Sequence, residues 1–513
     1  MAWIVLNEDN GRIKLISKST VDGILPKGAY LTIEIGKIKH ILRVDDTYQY
    51  NPYSPSPNII ELDLSGLRAD QKTLNIVVAS RIKDISDRDD GLYDYIRPQS
   101  VARLSNQEEI NVALESKETG PKVLLATSQY TENKTLLDEY KKHIYVKLPE
   151  EMFFHQILIS GKTGSGKTVA AKYLAQYFTE EIGGAVLAIN VKDTDFLKMD
   201  QETMNDTLSV NKEWIDLGLK PHSMDNSVVY YPATTSVKNL QNVNLQNFYP
   251  ITFDVNKIDP ESIVGLLQNI TDIAAMNLPN IFRYWQGRKN PSGNQQFKNF
   301  INHFENHKQD GCNFPTINKR GEESIVTLHK GTAENVSRNL DSASEFFDNP
   351  GAFHLKAERI LEHGKISVIN VANKNGIMFG SILLRDLLRD LVEYKSNRPN
   401  SLPILIIIDE VHQFYHNNMS RDALGDLDTI CRTGRSQKIG IVFSSQNISD
   451  LPSGLTSVIN TKLIFRSDSK GLSSVIKVSG DDIETLRTGF AFTNIYDMPN
   501  IRFIKFPLAL AGV

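Results

Sequence analysis

Gly161, Gly166, Lys167 and Thr168 satisfy the pattern GxxxxGK[ST] within "ISGKTGSGKTVAAKYL". The chemistry of that pattern is phosphate capture. Its glycines let the backbone close on a polyanion, and the N–H groups from Gly164 to Thr168 point inward at a helix N-terminus. The lysine cation meets the β- and γ-phosphates, and the threonine hydroxyl ligates Mg2+. Gly161, Lys162, Thr163, Gly164, Ser165, Gly166, Lys167, Thr168 and Val169 are therefore expected to hold a nucleoside triphosphate, read as ATP. An apolar run precedes the loop and a helical pattern follows it, the context that separates this motif from a chance glycine turn.

A second group stands about 240 residues downstream, where "LPILIIIDEVHQF" ends an apolar strand in Asp409 and Glu410. Asp409 is placed to hold Mg2+ through water, and Glu410 to orient and polarise an attacking water. Phosphoryl transfer to a bound substrate needs no such acid, so the pair favours hydrolysis. The box resembles that of two-lobed helicases, but only about 100 residues follow Glu410, too few for a second motor lobe. No LSGGQ-like signature precedes the acidic strand, which argues against a transporter-type ATPase.

Next comes "CRTGRSQKIGIVFSSQN". Gln446 falls at the C-terminal end of a strand, where ligands bind in open α/β sheets. It either senses the γ-phosphate and positions water, or is an ordinary strand-end polar residue. Arg432 and Arg435 close a helix. They either pair with its dipole or reach a neighbour's nucleotide and stabilise transition-state charge in trans. His412, His416 and Cys431 have no partner at useful spacing and read as structural or solvated.

Positioning these groups requires a sheet. From Gln156 onward "ILIS", "AVLAINV", "ISVINVA", "ILIIIDE", "IGIVFSS" and "KLIFRS" are near-continuous apolar runs, as expected of strands covered on both faces. Helical patterns alternate with them over Thr168 to Phe178, "SILLRDLLRDLVEYK" and "RDALGDLDTICRT", which predicts an α/β domain with a largely parallel sheet. Residues 1 to about 120 are different. "AWIVL", "RIKLIS", "AYLTIEI", "KHILRV", "IIELDL" and "LNIVVAS" are short β-like runs between turn residues, predicting a small closed barrel or a sandwich. The polar stretch "SQYTENKTLLDEYKKH" reads as the lead-in to the loop. Residues 259–348 interrupt the alternation with a polar block of helical flavour, in which Phe297, Phe300 and Phe304 are spaced for one helical face. Interleaved with Arg288, Lys289 and Lys298, these rings suit base stacking; the helical spacing favours the core of a small helical insert.

The bulk properties set limits. The 513-residue chain is 40% hydrophobic and 23% charged, with formal net charge −4 and a pI near 6.3. That excludes a coat of basic charge but not a local basic channel for a polyanion. Its two cysteines, Cys312 and Cys431, form no zinc-type spacing, which predicts a reducing compartment and no structural metal. "MAWIVLNEDNGRIKL" lacks the layout of a secretory signal. No apolar run approaches the roughly 20 residues of a membrane helix. A cytoplasmic protein without membrane contact is expected.

In order, a β-barrel, the loop, a helical insert, "IIIDEVHQF", "RTGRSQKIGIVFSSQ" and "LPSGLTSVINTKLIFR" resemble the HerA group of the HerA/FtsK superfamily. The likeness covers nearly the whole chain, and the C-terminal motifs are its most specific part. The resemblance implies a RecA-like P-loop ATPase core over residues 121–513, an N-terminal small β-barrel over 1–120 and a helical insertion over 259–348. It also implies a homo-hexameric ring that translocates double-stranded DNA, with ATP and Mg2+ bound between subunits. By matched motif, Lys167 and Thr168 would bind nucleotide and metal, Asp409 and Glu410 would be the acidic pair, Arg435 the trans arginine and Gln446 the sensor. Archaeal members typically carry an acid after the strand that follows the loop helix; here Asn190 stands there, with Lys192, Asp193 and Asp195 close by. In this the chain is similar to bacterial forms, some of which act against phage with a nuclease or a sirtuin-like NAD-hydrolysing partner. A peripheral conjugation or secretion ATPase, and a ring scaffold for an effector enzyme, are the alternatives. The apolar tail "FIKFPLALAGV" is expected either on a neighbouring subunit or on its own sheet.

Overall fold

Alternating aliphatic residues in the first hundred positions close on themselves. The strands are β1 (Trp3–Asp9), β2 (Arg12–Ser17), β3 (Tyr30–Ile35), β4 (Ile38–Tyr50), β5 (Leu74–Ile85) and β6 (Val101–Leu104). They form an antiparallel barrel in the order β1-β2-β5-β4-β3-β6, closed by β6 against β1. Val5, Ile13, Leu15, Leu31, Ile33, Ile41, Val77 and Ala79 fill it, because alternate side chains along a strand face the same side. Register shifts in β4 at Ile41/Leu42 and Val44/Asp46 bend that strand around the barrel. Of the two expected architectures, the barrel is the one formed. The helix α1 (Gln107–Ala113) follows, started by a capping box between Asn106 and Glu109.

This computed structural model describes residues 3–17, 25–50, 74–86, 95–192, 195–205, 207–235, 243–266, 271–288, 295–372, 376–398, 401–414, 434–448, 451, 458–468 and 480–513. The run "IIELDL" and the helix expected over "RDALGDLDTICRT" lie outside them, as do Lys289, Asp193, His416, Cys431 and Arg432.

The rest of the chain is built on one large sheet. Its first strands are β7 (Lys122–Gln129), β8 (Glu132–Thr135), β9 (Tyr145–Lys147), β10 (Gln156–Ser160), β11 (Ala185–Asn190), β12 (Ser227–Pro232) and β13 (Phe248–Ile251). A separate hairpin, β14 (Asn313–Ile317) and β15 (Glu323–Thr327), intervenes. Then come β16 (Ile366–Asn370), β17 (Ile404–Ile408), β18 (Ile439–Ser445), β19 (Thr461–Ile464), β20 (Phe490–Asn494) and β21 (Phe503–Lys505). The order is β13-β12-β16-β11-β17-β18-β10-β19-β20-β21-β7-β8, with β9 also on β7. Pairing is parallel from β13 to β19 and antiparallel beyond.

The six expected strands are thus β10, β11, β16, β17, β18 and β19, all in the parallel part. The antiparallel extension corrects the largely parallel expectation. The polar stretch before the loop is not a bare lead-in: it contains β8 and contributes to β7. Its buried positions, Ser128, Asn133 and Leu136, are few and mostly polar, so no continuous apolar run marks it.

Helices cover both faces of the sheet. Against one face α2 (Lys167–Glu180) packs Ala170, Leu174 and Phe178 on Val186, Ala188, Leu405 and Ile407. Against the other lie α8 (Gly376–Ser396) and the segment before it, with Leu387, Leu388 and Leu391 on Leu187, Ile189, Ile406 and Ile408. Between β12 and β16 the chain forms α4 (Asp272–Gly287), α5 (Phe297–Gln309), the β14–β15 hairpin, α6 (Lys330–Ala343) and the short α7 (Ala357–Ile360). Phe297, Phe300 and Phe304 of α5 are all buried. Phe297 stacks on Phe347 at 3.8 Å, Phe300 meets Phe282 edge-on and Phe304 stacks on Phe314. They are core, and no face of theirs is left for a base. Among the described residues no helix is long and apolar enough to cross a membrane.

The tail packs on elements of its own chain. Gln176 Oε1 on α2 accepts from the N–H groups of Leu510 (2.8 Å) and Ala511 (3.3 Å), and Lys172 Nζ donates to the Gly512 carbonyl at 2.5 Å. Trp214, on α3 (Leu208–Leu217), donates to Leu508 O at 2.9 Å. An apolar tail end needs partners for its backbone, and the inner side of the loop helix supplies them.

Candidate functional site

The loop between β10 and α2 wraps through three glycines at positive φ: Gly161 (158°), Gly164 (74°) and Gly166 (105°). A Cβ at Gly161 would sit 2.7 Å from Phe465 Cβ, and one at Gly166 would sit 2.9 Å from the Gly489 nitrogen, so at both positions the neighbours admit only glycine. Neighbouring strand ends hold the loop from outside. Gly161 N–H donates to Ser445 O (3.1 Å), Lys162 N–H to Arg466 O (2.7 Å) and Gly489 N–H to Ser165 O (2.9 Å). Thr488 Oγ1 donates to Gly164 O at 3.0 Å. Lys167 is buried, and its ammonium donates to the carbonyls of Gly161 and Lys162. Burial pushes that ammonium below the usual lysine range, while the Glu410 carboxylate pulls the other way. Lys162 and Thr163 are exposed, the former paired with Asp468 at 2.5 Å. Thr168 and Val169 are half-buried in the first turn of α2, and Val169 packs against the core behind the loop.

Asp409 and Glu410 leave the end of β17. The two are 2% and 0% exposed. Consecutive strand residues face opposite sides of a sheet, yet both acids lie beside Lys192, whose Nζ is 3.9 Å from Asp409 Oδ2 and 2.7 Å from Glu410 Oε1. The backbone at Glu410 explains this: its φ of 45° is left-handed, ending the strand in a turn that brings the second carboxylate back beside the first. A non-glycine residue held there costs roughly 1–3 kcal/mol, a strain typical of functional turns. From β18, Ser444 Oγ donates to Asp409 Oδ1 at 2.9 Å, and Gln446 Nε2 to Glu410 Oε1 at 3.2 Å. Burial raises Asp409 to about 6. Burial also pushes Glu410 up, but the Lys192 hydrogen bond and charge, with Gln446 and Lys167, outweigh it and leave Glu410 below the usual carboxylate range.

The structure therefore brings together Lys167, Asp409, Glu410 and Gln446. It also adds Lys192 and Ser444, to which the motifs assigned no role. Strand register is the signal that points to Lys192. Ile189 of β11 pairs with Ile408 of β17, so whatever follows β11 stands beside the acids. Asn190 shapes that turn: Nδ2 donates to Lys192 O and to Asn370 Oδ1, and Oδ1 accepts from Phe196 N–H at 3.2 Å. Arg435 lies on the short helical turn Gly434–Gln437 immediately before β18; the helix expected ahead of it lies outside the described residues.

ATP and Mg2+ suit these residues. Asp409 Oδ2 is buried with no hydrogen-bond partner among the described residues. With the Thr168 hydroxyl as a direct ligand, this oxygen would hold Mg2+ through water, an all-oxygen environment of the kind that ion prefers alongside phosphates. Among the described residues no three His, Cys, Asp or Glu side chains form a self-sufficient metal cage.

Comparison with known proteins finds the following likenesses. Residues 135–386 match the family model for the central domain of helicase HerA, a segment that includes the loop and Lys192 and stops before Asp409. The DNA double-strand break repair helicase HerA of Sulfurisphaera tokodaii is 26% identical over 294 residues, which cover 52% of this chain and 57% of that protein. The chain spans 34% and 57% of the lengths of the curated relatives it matches. Among solved structures, VirB4 of Thermoanaerobacter pseudethanolicus aligns at TM-score 0.46 and 12% identity over 76% of this chain and 97% of that one. The bacterial conjugative coupling protein TrwBΔN70 aligns at 0.47 and 14% over 77% and 90%.

Proposed function

The chain belongs to the HerA/FtsK superfamily, and from that premise we propose that it is an ATP-hydrolysing motor that assembles as a homo-hexameric ring and translocates double-stranded DNA. The observation that carries the hydrolytic part is the Glu410 carboxylate. It stands beside Asp409 at a strand end, kept ionised by Lys192 and oriented by Gln446.

In this reading the loop N–H groups and Lys167 bind the triphosphate, and the lysine exchanges its loop carbonyls for phosphate oxygens. Mg2+, held by Thr168 and through water by Asp409, would neutralise charge on the β- and γ-phosphates. Glu410 takes the proton of the attacking water, and Gln446, bonded to Oε1, orients the carboxylate that does so. Arg435, placed before β18, is contributed to the neighbour's nucleotide and stabilises the charge that develops on the transferred group. Hydrolysis then depends on the seam between copies, which links fuel consumption to motion around a ring.

The barrel at residues 1–120 and the helical insertion at 259–348 are the units outside this chemistry. The barrel is the docking place we assign to a separate effector, a nuclease or sirtuin-like enzyme, in a cytoplasmic anti-phage role. ATP turnover measured with and without linear duplex DNA tests the motor reading. Turnover several times faster with DNA supports it, and turnover indifferent to DNA overturns translocation.

A further inference from the structure

The ammonium of Lys192 sits among three carboxylates: Glu410 Oε1 at 2.7 Å, Asp195 Oδ2 at 3.7 Å and Asp409 Oδ2 at 3.9 Å. We propose that Lys192 is a built-in counter-ion, a positioning residue that neutralises the acidic pair until a divalent cation arriving with the triphosphate displaces it. The inference rests on Asp409 as the metal-side acid of the proposed ATPase.

Two adjacent carboxylates as deeply buried as Asp409 and Glu410 do not stay charged without a cation, because their desolvation has to be offset by a partner charge. Among the described residues Lys192 is the cation that forms ion pairs with both. Lys167 is turned instead onto the loop carbonyls.

Lys192 is also built to leave. Its side chain is 35% exposed, and an ammonium on a flexible four-carbon stem swings into water at little cost. Its backbone, in contrast, is tied: Asn190 grips Lys192 O, Phe196 N–H and Asn370 together. The anchored turn keeps the lysine available and the side chain does the exchanging. The metal that competes for Asp409 Oδ2 carries twice the charge, and it arrives bound to phosphates that add oxygen ligands of their own. A metal alone lacks that help and competes poorly with the tethered ammonium. The lysine therefore keeps the acids ionised and in place between turnovers and disfavours metal binding without nucleotide.

The test titrates Mn2+, an oxygen-seeking stand-in for Mg2+, into nucleotide-free protein and counts free ion by electron paramagnetic resonance. Lys192→Met is expected to bind Mn2+ at least about tenfold more tightly than the unsubstituted protein, since a cation has left the neighbourhood of the acids. Lys192→Arg, which keeps the charge, should stay within about twofold of it. Adding Asp409→Asn to Lys192→Met should abolish the gain. Equal or weaker binding by Lys192→Met, or a gain that survives Asp409→Asn, overturns the proposal. Should the methionine variant fail to fold, Lys192→Gln carries the same expectation. MgATP turnover by the unsubstituted protein is read separately. A Mn2+ gain without turnover sinks the ATPase reading and upholds the counter-ion, and turnover without the gain does the reverse.

Discussion

Gln446 Nε2 donates to Glu410 Oε1 at 3.2 Å, joining the end of β18 to the turn after β17. Lys192 reaches the same oxygen at 2.7 Å, so one carboxylate oxygen is fixed from two directions. A bond that only aims the base acts on the chemical step and not on binding. Gln446→Ala should lower kcat for ATP roughly ten- to a hundredfold, with nucleotide affinity nearly unchanged. Steady-state turnover together with a fluorescent-nucleotide titration checks this. An unchanged kcat would remove Gln446 from the site.

Lys167 is the buried cation of the loop. Lys167→Ala should abolish turnover and weaken triphosphate binding by about 2–3 kcal/mol, the scale of a charged hydrogen bond lost from a buried setting. Calorimetric titration with a non-hydrolysable ATP analogue measures the binding part. Normal turnover in this variant would cancel the loop assignment.

Asp409 carries a stability cost with a definite pH window. Its carboxyl is raised from 3.8 to about 6 by burial, so between about pH 4 and 6 this group binds more protons in the folded state than in the unfolded one. Stability from this group therefore falls as pH rises through that window and stays reduced above it, by up to about 3 kcal/mol. Glu410 is lowered, and its contribution runs in the opposite sense, lost as pH falls. Comparing two proteins isolates Asp409. In nucleotide-free form Asp409→Asn should be more stable than the unsubstituted chain at pH 7.5, by chemical denaturation, and nearly equal to it at pH 4. It should also lose Mg2+-dependent turnover. Equal stability at pH 7.5 would contradict the buried-charge explanation.

The C-terminal tail tests a link between packing and the loop. Gln176 Oε1 accepts two backbone N–H groups from Leu510 and Ala511, and Gln176 lies on the helix that begins at Lys167. Gln176→Ala strands both donors in a buried place and should cost about 1–3 kcal/mol in denaturant unfolding. A loss below about 0.5 kcal/mol, the range of ordinary surface substitutions, would show that the tail is held by other contacts.

The parallel half of the sheet was legible because its strands are buried on both faces and read as unbroken apolar runs, such as "ILIII" of β17. β8, with sequence "ENKT", has one buried position in four and gives no such run. β13 at the sheet edge and β12 beside it carry Tyr and Pro and are equally quiet. In the site, the loop glycines, Asp409, Glu410 and Gln446 announce themselves through motif and strand-end position. Lys192 does not, because its role depends on β11 lying beside β17, a pairing of segments more than 200 residues apart. The same holds for the tail, whose partner Gln176 is distant in sequence and sits inside an ordinary helical pattern.

The central claim is that copies of this chain complete one another's pockets, with Arg435 given by one subunit to the nucleotide held by Lys167 of the next. Mixing two inactive proteins tests it most directly. Lys167→Ala lacks a working loop but keeps Arg435, and Arg435→Ala keeps the loop but lacks the arginine. Each alone should hydrolyse no ATP, although Arg435→Ala should still bind it. Combined and allowed to exchange subunits, they should recover a measurable fraction of normal turnover at the seams that pair an intact loop with an intact arginine. A mixture as inactive as its components, or an Arg435→Ala protein that turns over ATP at full speed alone, would contradict the claim.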